Sequence, residues 1–573
     1  MSICKLTKEL SRLRKSSSDS IDNVENFTTF KKYMHVVRAV EEDLKIILRN
    51  VNKFGKKTLV LLCGSAGDGK SHLLSYLKNS DEEKLIKDFV VYNDATESSA
   101  PSKTAIETLN DLLSDFRDEQ LECSGKNIIL AINLGVLSNF VESEYGEQYK
   151  ELRKYVEEHN ILTSKIIKKE FDTSSFFQHI SFSDYHMYSL SSDGVKAVYI
   201  EKIMDKIFGE AEGNVFYSAY KSCSNCSLSK KCPVCKNYEY MQDKVRQQFI
   251  AELLVKMTLM DKVILTTREI LNFIYDIIVS KDFSYTNFQK LLVDDSAYIK
   301  EFLKQITPAL LFESNDLTPL MNIIKKYDPL LYRTEKDDQM AISYYISSDV
   351  SKDVYGIFNT ISYGEVVCNS VMLEKINNDK ALKKQIFNLM VRINVLEHGI
   401  IEKEVYSRYL TDLYFYNAGK GRKLGALYTM VEKSIIQWCG SDIEGNICLD
   451  NGKRGFAIYE NIKFEGNLDL IPKVDDAEEL QRFIPKIVVT YKDKRGKYIS
   501  LDIDYSLYEL LFKLTKGYVQ TVDDRNNHAD FISFVKRILQ TGSLDEEVTI
   551  ISNSGKRAMI SKNMFGYKFK VVK

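Results

Sequence analysis

Gly64-Ser65-Ala66-Gly67-Asp68-Gly69-Lys70-Ser71 is a complete GxxxxGK[ST] stretch, set between an apolar run at 58–63 and a helical run at 72–78. Strand, glycine loop and helix in that order make a phosphate-binding element. Glycines let successive main-chain N–H groups curl round a β-phosphate, Lys70 neutralises β- and γ-oxygens, and Ser71 offers its hydroxyl to Mg²⁺. With His72 opening the helix, residues 64–72 form the candidate nucleotide-binding set. No NKxD guanine-reading motif follows, so ATP is expected in preference to GTP.

Working outward, strands and helices alternate: strand 59–63, a helix from Lys70, strand 89–93, helix 103–116, strand 128–133, a charged helical hairpin over 148–170 and a strand at 179–182. Such alternation predicts a parallel sheet with helices on both faces. Upstream, Val36, Val37, Val40, Leu44, Ile47 and Leu48 repeat at helical spacing and predict one helix over 30–50. Downstream, amphipathic stretches at 242–260 and 267–279 would form a helical lid beside the nucleotide. The pattern is then mostly helical, through 382–416 and 424–438, and β-rich from 447 to 504, with strands 486–491 and 498–503 joined by a turn at 492–497. A helix at 529–539 and strands at 548–552 and 567–572 close the chain. The expected fold is therefore α/β, an AAA/STAND-like P-loop NTPase followed by a helical and then an α+β region. The expected segments are 1–57 (N-terminal helices), 58–240 (nucleotide-binding core), 241–290 (lid), 291–440 (helical) and 441–573 (β-rich).

Hydrolysis asks for more than a phosphate cradle: a carboxylate to hold Mg²⁺ or polarise water, and a polar group to sense the γ-phosphate. The strand at 127–132 ends in Asn133-Leu134-Gly135 where an acidic pair would be expected. Asn133 cannot act as a base, but it can orient water or contact the γ-phosphate. The nearest carboxylates at a strand end, Asp94 and Glu97, are candidates for metal coordination and water activation, or else cap the next helix. Arg268, opening the helix at 267, resembles the lid arginine of AAA-type ATPases; the alternative is an ordinary surface arginine.

Cys223-Ser224-Asn225-Cys226 and Cys232-Pro233-Val234-Cys235 give two CxxC turns at a spacing that can wrap four thiolates round one Zn²⁺. An iron–sulfur cluster is the alternative, and four sulfur ligands leave no open position, which favours a structural role. Lys221, Lys230, Lys231 and Lys236 surround the turns and would be either phosphate-contacting or solvated.

Composition narrows the setting. The 573 residues exceed one hydrophobic core, and 79 basic against 80 acidic side chains give no global signal, so any nucleic-acid contact must be local. Two basic stretches qualify: Lys420, Arg422 and Lys423 around Gly421, and Lys492, Lys494, Arg495 and Lys497 in the predicted turn. Each is also readable as a solvated loop. Apolar runs fall far below the roughly 18 residues that span a bilayer, and residues 1–15 lack a secretory apolar core. A cytoplasmic protein without membrane attachment is expected. The 34 tyrosines are expected to be core material.

Leu62 through Leu74, Asn93-Asp94-Ala95-Thr96-Glu97-Ser98 and Leu130 through Leu137, in that order and with the cysteine cluster, resemble the DptF family, the P-loop ATPases of DNA phosphorothioation-dependent restriction systems. The resemblance implies bacterial defence: an ATPase working with DptG and DptH to restrict DNA that lacks the phosphorothioate mark. It leaves a homo-oligomer open. The acidic and basic residues near Asp475, Asp476 and Lys486 have no nuclease spacing, so cleavage is expected elsewhere. Two other readings stand beside the ATPase: a nucleotide-gated scaffold with little turnover, and a small-molecule kinase, which fits a chain of this length poorly.

Overall fold

The computed structural model describes residues 4–15, 29–65, 67–93, 104–162, 171–313, 318–332, 334–399, 404–440, 446–451, 455–471, 478–492, 496–541, 543–563 and 566–572. Two compact units divide the chain, Met1–Tyr188 with Lys196–Ile401, and Ser189–Val195 with Glu402–Lys573. The divisions expected at 57/58, 240/241 and 290/291 fall inside the first unit, that at 440/441 falls inside the second, and the expected helical segment 291–440 spans the break.

The first unit is α/β. Its strands β1 (Leu59–Cys63), β2 (Phe89–Tyr92), β3 (Asn127–Ile132) and β4 (Phe177–Ser181) form a parallel sheet of order β2-β3-β1-β4, with Leu59 opposite Ile128 on one side and Phe177 on the other. All five residues of β1 are buried, as a strand covered on both faces requires. Helices α1 (Lys5–Lys15), α2 (Thr29–Met34), α3 (Ala39–Phe54), α4 (Lys70–Ser80), α5 (Ala105–Leu112), α6 (Leu134–Glu142) and α7 (Lys150–Glu158) accompany it. Because side chains alternate along a strand, Leu59, Leu61 and Cys63 join a core with α5, α6 and α7, while Val60 and Leu62 join another with α3 and α4.

Strand order places the loop after β1. The connection from β1 to β2 runs past β3 through α4 on one face, and that from β3 to β4 runs the other way past β1 through α6 and α7 on the opposite face. Crossovers of one hand that travel in opposite directions must use opposite faces. The carboxyl ends of the neighbours β1 and β3 thus diverge, leaving the crevice where α/β sheets bind ligands.

Several local expectations change. The single helix over 30–50 is two, α2 and α3, because 35–38 is non-helical: Arg38 is extended (φ −118°, ψ 156°) and caps α3. The helical hairpin at 148–170 reduces, among the described residues, to α7, which ends where Asn160 turns left-handed (φ 49°); 163–170 lie outside them. The helix expected over 103–116 is α5, opened by a Thr104/Glu107 capping box and followed by a 3₁₀ turn at Ser114–Phe116.

Helices α8 (Val198–Phe208), α9 (Val215–Lys221), α10 (Pro233–Tyr240), α11 (Lys244–Met260) and α12 (Thr267–Asp276) follow, and the first unit continues helical to Lys380–His398. Helix α1 buries Leu6, Leu10 and Leu13 and lies along α9 and α12. Tyrosine is core material as expected: Tyr149, Tyr238, Tyr298, Tyr344 and Tyr363 are among the largest fully buried side chains, and hydroxyls find carbonyls, Tyr238 that of Ile207 and Tyr298 that of Lys231.

The second unit is α+β. Strand β5 (Tyr185–Ser191) carries the chain into it and β6 (Gly194–Lys196) carries it out; both were missed in the sequence, and with β9 (Glu479–Arg482) they form the sheet β6-β5-β9. An antiparallel sheet of order β14-β13-β12-β8-β7 contains β7 (Asn446–Asn451), β8 (Phe456–Lys463), β12 (Ser543–Ser552), β13 (Arg557–Asn563) and β14 (Gly566–Val572). The predicted hairpin is present as β10 (Ile487–Lys492) and β11 (Tyr498–Ile503). Among the described residues no helix is long and apolar enough to cross a membrane.

Candidate functional site

The glycine loop leaves β1 at the crevice. Gly67 and Gly69 hold φ of 89° and 100°, values that side-chain-bearing residues rarely adopt, and Gly69 is the N-cap of α4. Ala66 lies outside the described residues. The Lys70 ammonium is folded over the loop, donating to the carbonyls of Gly64 and Ser65 at 2.7 Å each and reaching Asn133 Oδ1 at 3.4 Å. Asn133 stands at the end of β3 as the N-cap of α6, its side chain uninvolved in that cap. Two residues expected to serve one phosphate group, 63 positions apart, are therefore brought together by the pairing of β1 with β3.

Asp68 closes the loop on itself, its Oδ2 accepting the Ser65 amide at 2.6 Å. Burial holds this carboxyl above its usual range, opposed by the Ser65 amide and by the Lys70 and Arg38 charges. From the helical side, α12 begins with a Thr266/Glu269 capping box directly over Gly67: a Cβ there would meet Thr266 Oγ1 at 3.3 Å and Arg268 Cβ at 3.5 Å. Arg268 is thus beside the loop, where the sequence predicted a lid arginine. Asp94 and Glu97 lie outside the described residues.

His72 turns its ring onto His35, Nε2 to Nδ1 at 3.1 Å; His35 in turn stacks on Tyr76 with ring centroids 3.6 Å apart and sits 3.1 Å from the Glu41 carboxylate. Burial, then the charges of His35 and Lys31, hold His72 down to about 4. The unfolded chain therefore takes up a proton near pH 6.5 that the folded chain resists. We expect full stability from this site above pH 6.5, and a progressive loss of about 3 kcal/mol between there and pH 4. Chemical denaturation from pH 7 to 4 checks it: His72→Gln should flatten that limb, and an unchanged slope would refute the assignment.

The cysteines cluster in part. Short 3₁₀ turns, Ser222–Asn225 and Ser229–Lys231, carry the chain to α10, which starts at Pro233 immediately after Cys232. The Cys223 thiol donates to the Ala219 carbonyl at 3.7 Å, the neighbouring Cys235 pulls Cys223 down and is itself pushed up, and burial pushes Cys232 up to about 12. Cys226 lies close to Tyr285. Among the described residues no group of three or more His, Cys, Asp or Glu side chains is arranged to hold a metal ion. Lys236 is not a solvated or phosphate-contacting lysine: it is 7% exposed and paired with Glu365 at 2.9 Å and Glu239 at 3.2 Å.

In the second unit the two basic stretches flank one strap at 465–471. Gly421 packs on Leu468 and Ile471, while the Lys492 amide donates to the Glu465 carbonyl at 2.9 Å. Lys420, Arg422, Lys423, Lys492 and Lys497 are exposed; Lys494, Arg495, Asp475 and Asp476 lie outside the described residues. Lys486 pairs with Asp502 at 2.5 Å.

Sequence reasoning missed Arg38. Its guanidinium donates to the Asp68 carbonyl at 2.9 Å, yet it is 30 residues from the loop and its position in an expected helix gave no signal. Compared with models of known protein families the chain matches none, and it matches no curated protein.

Proposed function

We propose that the first unit is a P-loop ATPase, AAA/STAND-like, that binds ATP with Mg²⁺ through residues 64–72. The observation that carries this reading is the convergence of Lys70, Asn133 and the main chain of the glycine loop at the diverging carboxyl ends of β1 and β3. Loop amides would cradle the phosphates, Lys70 would exchange its carbonyl partners for phosphate oxygens, and Ser71 would hold Mg²⁺. Asn133 and Arg268 would flank the γ-phosphate, and α11 and α12 would form the lid. Asp94 and Glu97 remain the proposed metal-coordinating and water-activating carboxylates. Calorimetric titration of the intact chain with Mg·ATP tests the reading, and the absence of any heat of association overturns it.

A nucleotide-gated scaffold is the second reading, favoured by one observation: β3 ends in Asn133, which cannot accept a proton from water. Steady-state turnover with and without DNA separates the two.

The resemblance to the DptF family supports placing this activity in a DNA phosphorothioation-dependent restriction complex with DptG and DptH. The exposed lysines and arginine on either side of the 465–471 strap are the proposed DNA-backbone contacts, with binding that weakens steeply as salt rises.

For Cys223, Cys226, Cys232 and Cys235 we propose one structural Zn²⁺. The spacing and the closeness of Cys223 and Cys235 support it, while Cys226 must join them to complete the set. Protein purified without chelator should carry one zinc per chain and melt at lower temperature after its removal; elemental analysis finding none would remove the proposal.

A further inference from the structure

Arg38 is anchored by two aromatic rings and two main-chain carbonyls. The carbon of the group lies 5.2 Å from the Phe182 ring centroid and 5.3 Å from that of Tyr199, and its nitrogens donate to the carbonyls of Asp68, at 2.9 Å, and Tyr185, at 3.4 Å. Among the described residues its hydrogen-bond acceptors are these two main-chain oxygens. Arg38 is half-buried, and desolvating a cation is expensive. Burial indeed pulls Arg38 below its ordinary range, opposed by Tyr199 and Asp68. A planar fork that meets two carbonyls and two aromatic faces is a task for arginine, not lysine.

The bond to Asp68 matters because of the peptide it belongs to. In a trans peptide the carbonyl of one residue and the amide N–H of the next point in opposite directions. With the Asp68 oxygen held by Arg38, the Gly69 N–H of the same peptide is turned to the side away from Arg38, where it would join the amides that cradle an anion. We propose that Arg38 is a positioning residue for the phosphate-binding loop, fixing the Asp68–Gly69 peptide from behind so that its N–H faces the nucleotide phosphates. This rests on the nucleotide-binding reading and adds a residue outside the motif. The same side chain ties the loop to the helical layer: the Tyr199 hydroxyl is 2.9 Å from Thr267 Oγ1, next to the Thr266 that overlies Gly67. Loop, α3, α8 and α12 are thereby joined in one ring of contacts.

Titration of the intact chain with Mg·ATP, well below its melting temperature, tests the proposal on wild type, Arg38→Ala and Arg38→Lys, with methylguanidinium added to the alanine variant. We expect alanine to weaken binding about 10- to 100-fold. Lysine should recover little, and methylguanidinium should restore part of the affinity while leaving wild type unchanged. Alanine binding within about twofold of wild type would overturn the proposal alone, as would full recovery by lysine, which would reduce the role to charge. If alanine does not fold, the lysine variant, which keeps the stem and the charge, decides by the same comparison. Wild type failing to bind would instead sink the nucleotide reading, and this inference with it.

Discussion

Lys70→Ala is expected to weaken Mg·ATP binding at least about 100-fold, roughly 3 kcal/mol, and to abolish turnover. In the structure the ammonium is held by two loop carbonyls and reaches Asn133, all neutral oxygens. The Asp68 carboxyl also feels its charge, and a triphosphate, with several anionic oxygens, is a stronger partner than the neutral carbonyls. Loss of the side chain removes that gain while leaving the loop's own bonds, Ser65 N–H to Asp68 and the Leu73 amide to Gly69, in place. The variant should therefore melt near wild type, and calorimetry should read an affinity change without a stability change. Lys70→Arg should fail to rescue, because a wide guanidinium does not fit a pocket shaped for a compact ammonium. Retained affinity in the alanine variant would remove the site.

Asn237→Ala is expected to cost the first unit about 3–5 kcal/mol. Asn237 is fully buried on α10 and uses both ends of its amide: Nδ2 donates to the carbonyls of Ile278 (2.9 Å) and Gln305 (2.7 Å), and Oδ1 accepts from the Thr307 amide (2.9 Å) and the Tyr363 hydroxyl (3.0 Å). Truncation leaves several of these groups without a partner in the buried interior. Each unpaired group costs about 1–3 kcal/mol, softened here because Tyr363 can also receive the Thr307 amide at 3.3 Å. Asn369→Ala is the control. It removes an ordinary cap on the Met372 amide and should cost about 1 kcal/mol. Equal denaturation midpoints for the two variants would refute the view of Asn237 as a hub. Because α10 also carries Cys235, the alanine variant should in addition lose hold on any metal there.

The sequence made legible what contiguous residues encode. Five apolar residues in β1, glycines at 67 and 69, a lysine at 70 and the run at 127–132 each act within a few positions, through burial, backbone freedom or strand propensity. The start of the helix that carries Arg268 was also visible at 267, although the Thr266/Glu269 capping box that opens it was not read. Where a boundary slipped, a longer-range contact had won: the helix expected over 30–50 gives way at 35–38, where His35 turns to His72 and Arg38 to Asp68.

Local chemistry, then, determined that this chain has a strand, a glycine-rich loop and a helix in succession, and that four cysteines stand in two CxxC turns. Tertiary structure alone decided the strand order β2-β3-β1-β4, the meeting of Lys70 with Asn133, the seating of Arg38 behind the loop, the burial of Asn237 and the passage of residues 189–195 into the second unit. The physical reason is one of range. Periodicity, capping and glycine conformations act over a turn of helix or a few strand residues, whereas these arrangements join residues tens to hundreds of positions apart, and no local pattern records which distant surfaces will exclude water together.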